Sequence, residues 1–199
     1  MAAIPPALTD VAHGSRPSRL RLLAPLRYLS IANPEKAKYD FVVPLAFAAA
    51  GWIAYNAIDP RPALFGDSGL LKYVRDMLVM AVPFMVGALA AVAMGAPGAS
   101  LDRRPRGADL YLDGETLTMR QFVCYLLGYL CLLGIVTLGL AVLAELLREA
   151  VNAWTVGFPA AHRGIRIVGS LFLSILLSSL VTTVLWALYF LTDVVNRPS

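Results

Sequence analysis

Phe122 to Ala144 reads FVCYLLGYLCLLGIVTLGLAVLA, 23 residues without one charged side chain. A helix needs about 20 mostly apolar residues to cross a hydrocarbon core of about 30 Å. Lipid offers no water to the backbone, so a run of this kind is predicted to be a spanning helix. Three further stretches read the same way: Phe41 to Ile58 (18 residues), Met77 to Ala96 (20) and Ile167 to Thr192 (26). The composition agrees. Of 199 residues, 58% are hydrophobic and 15% charged, against about 25% charged in an ordinary soluble domain. A chain this small cannot hide so much apolar surface in its own core. The expected fold class is an all-α membrane protein, its four helices arranged as two helical hairpins, with a short β-hairpin in the middle loop.

Signals at the span ends complete this reading. Asp40 is expected to cap the first span, and Asp59-Pro60-Arg61-Pro62 to stop it. Asp76 precedes the second, Pro83 is expected to kink it, and Gly95, Pro97 and Gly98 end it. The domain plan is a basic N-terminal segment 1–40, a transmembrane domain 41–192 with a middle loop 97–121, and a short tail 193–199. Eleven Lys and Arg fall on the side bearing both termini and the middle loop, and six on the other. This bias predicts both termini inside. The first 20 residues lack an apolar stretch, so no cleavable secretory signal is expected. A bacterial inner membrane is the expected location, and an Arg-rich organellar presequence is the other reading of the N-terminus.

Pro17 to Ile31 reads PSRLRLLAPLRYLSI. Its leucines fall near one helical face, and Arg19, Arg21 and Arg27 suit anionic head groups, so the segment reads as an interfacial element or else a mobile basic tail. In the middle loop, Asp109 to Thr118 places Asp113-Gly114 between two short alternating runs, the pattern of a tight hairpin turn. Two strands alone are marginal in water. The ribbon therefore calls for a support, and Arg103, Arg104, Arg106, Leu110, Tyr111, Leu112 and Leu117 are expected to dock a soluble cytoplasmic protein.

Helices in lipid associate through small residues and hydrogen bonds. Span two offers Gly87, Ala91 and Gly95, span three Cys124, Gly128 and Gly134, and span four the row Ser170, Ser174, Ser178 and Thr182. These rows predict packing within or between subunits, hence a homo-oligomer, and the hydroxyl row is alternatively a pore lining. No Asp, Glu, Lys, Arg or His lies within the four uncharged windows, which disfavours a transporter or proton pump. His13 and His162 are far apart, and Cys124 and Cys131 lie about 10 Å apart along one helix, so no catalytic residue, no cofactor site and no metal site is expected. Nucleic acid is not an expected partner, because no sustained basic run or aromatic-basic module is present.

Asp109 to Tyr125, a hairpin followed by a spanning helix, is similar to the inter-helix segment of RDD-family membrane proteins, although span one lacks the charged intramembrane residues of that family. Over its whole length the chain resembles, in size and topology, the four-helix membrane subunits of bacterial two-gene anti-phage systems such as Kiwa. That resemblance implies a non-catalytic membrane sensor or platform holding a cytoplasmic effector. The alternative expectation is a pore-forming membrane effector or ion channel.

Overall fold

The computed structural model describes residues 21–31, 34–60, 62–95, 111–112 and 115–194. Among the described residues, four helices are long and apolar enough to cross a membrane: Lys38–Ala57, Leu70–Met94, Met119–Thr155 and Pro159–Thr192. Most of the first is α2 (Val43–Ala57), the second is α3 (Leu70–Met94), the third is α4 (Met119–Thr155), and most of the fourth is α5 (Pro159–Tyr189). A short α1 (Pro34–Ala37) and a π-helical turn (Lys38–Val42) run directly into α2. A 3-10 helix, Arg21–Ser30, precedes them.

The helices outrun their uncharged windows. At about 1.5 Å per residue, the 37 residues of α4 reach about 55 Å. Leu146, Leu147 and Trp154 continue it with Glu145, Arg148 and Glu149. Trp154 is 83% exposed and Phe158 68% exposed at the α4–α5 corner, positions suited to a membrane interface.

Two end signals are corrected. Asp40 does not cap span one: the helix begins earlier, and Asp40 sits inside the π turn. Asp76 does not precede span two, which starts at Leu70. Backbone groups do the capping there. The carbonyls of Ala63 and Leu64 accept from the amides of Leu70 and Leu71 at 2.9 and 3.0 Å, satisfying two of the orphan donors at a helix start. Gly69 permits this fold-back, because a Cβ there would lie 2.5 Å from the Phe65 carbonyl carbon. At the start of span three, Thr118 and Gln121 form a reciprocal capping box. Helix α3 runs through Pro83 without interruption.

The pairing of spans differs from two sequential hairpins. α3 packs on α4, α4 on α5, and α5 on α2, whereas α2 and α3 share no extended contact. The spans lie in the order one, four, three, two, so spans one and two form the edges. In their most apolar windows only 11% of residues are buried, against 39% and 33% in spans three and four. The connection between spans one and two therefore crosses the layer instead of closing a tight pair.

Tyr111–Leu112 and Glu115–Thr116 pair antiparallel, Tyr111 opposite Thr116 and Leu112 opposite Glu115. Among the described residues of the ribbon expected over Asp109 to Thr118, these are the two residue pairs that form. Asp109, Leu110, Asp113 and Gly114 lie outside the described residues. Among the described residues the fold is helical apart from these two residue pairs, which do not support an independent β-hairpin.

Candidate functional site

The largest fully buried side chains include Tyr28 and Phe122. They belong to a cluster at the end of the bundle where the 3-10 helix, the entry to span one, the start of span three and the end of span four meet. Tyr28 and Ile31 turn inward from the 3-10 helix, while Leu23, Leu26 and Leu29 remain partly exposed. Tyr28 stacks on Tyr129 at 5.0 Å between centroids and tilts against Phe122 at 6.1 Å. Phe122 in turn meets Phe190 at 4.7 Å. Aromatic pairs at these distances add to the stabilisation from area burial alone.

Charge is built into this cluster. Lys36 and Asp40, four residues apart, form an ion pair whose side chains are 4% and 7% exposed. The Tyr28 hydroxyl donates to Asp40 Oδ1 at 3.0 Å. Lys36 Nζ lies 4.0 Å from the centre of the Tyr28 ring, where the electron-rich face attracts a cation. Tyr28 thus binds both partners of the pair, one through its ring and one through its hydroxyl. Burial, and then the Asp40 carboxylate beside it, push the Tyr28 phenol far above its ordinary range. The phenol is held neutral and donating. The arrangement fixes residues 21–31 on the bundle.

Residues 21–31 are therefore neither a helix lying on the leaflet alone nor a mobile tail, because Tyr28 and Ile31 are core residues. Arg27 is exposed there, the Arg21 side chain is not described, and Arg19 lies outside the described residues. Gly128, expected to pack spans together, instead faces this segment. A Cβ there would lie 3.8 Å from Pro25 Cβ.

The middle loop is anchored at the same end. The Arg120 guanidinium donates to the Gly95 carbonyl at 3.0 Å, closing the end of α3. Leu117 is 6% exposed and belongs to the core, so it is corrected from a docking residue to a packing residue. Tyr111 and Leu112 form the first short strand. Arg103, Arg104, Arg106 and Leu110 lie outside the described residues.

The small-residue rows have different fates. Gly87 and Ala91 are on an exposed face of α3, and nothing lies within 4 Å of a Cβ built at Gly87. They do not pack spans within this chain. Gly134 does: its Cβ position is 3.1 Å from Val82 and 3.9 Å from both Leu180 and Met85, where spans two, three and four cross. The hydroxyl row of α5 lies along the seam with α2. The Trp52 indole donates to Ser170 Oγ at 3.1 Å, and Ser178 Oγ donates to the Pro44 carbonyl at 2.6 Å. Ser174 is half-buried beside a cavity in that seam. Thr182 is buried, with no hydrogen-bond partner for its hydroxyl among the described residues.

His162 is exposed, and its Nδ1 lies 3.0 Å from Thr155 Oγ1 across the α4–α5 corner. Among the described residues, no three His, Cys, Asp or Glu side chains gather closely enough to hold a metal. Sequence reasoning missed Tyr28, Lys36 and Asp40 as a unit. The available signal was the i,i+4 spacing of Lys36 and Asp40, which matters only once the helix is seen to begin before Lys36. Comparison with family models, with curated proteins and with solved structures gave no match to this chain.

Proposed function

We propose that the chain is a non-catalytic multi-pass membrane platform or sensor subunit whose cytoplasmic end recruits or regulates a soluble protein. One observation carries this reading. Anchoring is concentrated at the end where the N-terminal segment, the base of the middle loop and the end of span four converge, with Tyr28, Ile31, Leu117, Phe122 and Phe190 all buried there. A bundle with residues 21–31 and Leu117 held on its core offers a fixed surface to a partner. The same side carries the larger share of Lys and Arg, which favours a cytoplasmic setting and a partner or leaflet of acidic character. The exposed face of α3 around Gly87 and Ala91 suits contact with a second copy. A role in bacterial anti-phage defence rests on the topological resemblance to two-gene systems.

A pore lined by Ser170, Ser174, Ser178 and Thr182 has less support. Ser170 and Ser178 already bond across the α2–α5 seam, so presenting the row to a central channel requires that seam to open.

Affinity purification from native membranes tests the platform. Changing Arg103, Arg104 and Arg106 to Glu, together with Leu110→Asp, is expected to reduce recovery of a co-purifying soluble protein at least tenfold while the membrane protein stays folded. Unchanged recovery overturns the docking role. Leu117→Asp is unsuitable here, because it would place a charge in the core. Bilayer conductance that disappears when the four hydroxyl residues become Ala supports the pore instead.

A further inference from the structure

A cavity of about 390 Å³ lies between α2, α5 and the segment leading into α3, in the seam that carries the hydroxyl row. Its size falls within the range of about 300–1,000 Å³ typical of small-molecule sites. Phe47, Gly51, Leu64, Leu70, Ser174 and Leu177 are among its walls. Along α5 it extends from Ser170 to Leu185, about 22 Å at helical rise. Half of a hydrocarbon core is about 15 Å, so the groove can hold an acyl chain along a full leaflet.

The groove continues to a basic rim. Arg166 precedes Ser170 by four residues and Arg163 by seven, so both lie on the helical face that lines the groove, beyond its Ser170 end. Both are exposed, and neither has an ion-pair partner among the described residues. Like charges one turn apart repel, and a shared anion removes that penalty. Side chains on a helix tilt toward its N-terminus, which carries these guanidinium groups away from the apolar groove and toward the head-group level. Guanidinium groups match the oxygens of a phosphodiester with paired hydrogen bonds.

We propose that this groove is a binding site for one anionic glycerophospholipid, with an acyl chain along the α2–α5 seam and the phosphate at Arg163 and Arg166. Native mass spectrometry of the full chain in mild detergent tests it, with phosphatidylglycerol and phosphatidylcholine of identical acyl chains as probes. One phosphatidylglycerol per chain is expected to bind at least tenfold more tightly than phosphatidylcholine. R163Q/R166Q is expected to abolish that preference while leaving weak binding of both lipids. Gly51→Phe is expected to weaken both, because a Cβ at Gly51 meets nothing within 4 Å and the ring would fill the groove without displacing the wall. Ser174→Leu fills it from the opposite side if Gly51→Phe fails to fold. Equal binding of the two lipids by the native chain overturns the proposal, as does native-like binding in folded groove-filling variants. A dimer that Gly51→Phe converts to monomer also overturns it, by making a second copy the occupant. Recovery of the soluble partner is expected to be unaffected by these changes, so failure here and failure of the platform reading are separable.

Discussion

Lys36→Met isolates the anchoring of the N-terminal segment. The native ion pair is nearly dry, with side chains 4% and 7% exposed. Removing the cation leaves the Asp40 carboxylate buried with only the Tyr28 hydroxyl among its described partners. Loss of one member of a buried pair costs about 3–5 kcal/mol. The ring contact between Lys36 and Tyr28 disappears as well, and a desolvated contact of that type is worth about 2 kcal/mol. The two contributions share the same ammonium group and do not simply add. At about 1.4 kcal/mol per factor of ten, the lower end of the first range shifts the docking equilibrium of residues 21–31 by a factor of about 10². Hydrogen exchange of the full chain in nanodiscs reads this directly, as faster exchange in that segment with the middles of α4 and α5 unchanged. Replacing the whole set (Lys36→Met, Asp40→Leu and Tyr28→Phe) removes every charge and hydroxyl together and is expected to restore most of the protection. If Lys36→Met changes exchange less than about fivefold, or if the triple variant exchanges faster than the single one, the polar cluster does not hold the segment.

The remaining predictions probe other parts of the fold. Because the folded phenol of Tyr28 lies above its unfolded value, its contribution is full below about pH 10 and is lost as pH rises beyond it; protection of residues 21–31 should fall in that alkaline window, and Tyr28→Phe should flatten the dependence. Gly134→Ala forces a contact of 3.1 Å with Val82 and is expected to cost about 1–3 kcal/mol, whereas Gly87→Ala, with open space around it, should be nearly neutral; reversible unfolding in mixed micelles distinguishes them. Thr182→Val removes a buried hydroxyl that has no described partner and is expected to be neutral or stabilising, while Ser178→Ala breaks the bond to Pro44 at about 1 kcal/mol. The same unfolding assay compares this pair.

The four spans were legible in the sequence because their cause is local. A stretch such as Phe122 to Ala144 satisfies its backbone only as a helix once it is in lipid, whatever its neighbours are. The same holds for Gly134 as a position of close approach. The order of the spans was not legible, because apolar helices carry little in their own sequences to name a partner. Contacts from α2 to α5, such as Trp52 with Ser170, decide that span one lies against span four and not against span two. Tyr28 and Asp40 likewise read as part of an interfacial or mobile segment and as a cap, with nothing to join them to Lys36. Only the packing of the 3-10 helix on α4 brings them together, at a depth where an ion pair and a hydroxyl must satisfy one another because water does not.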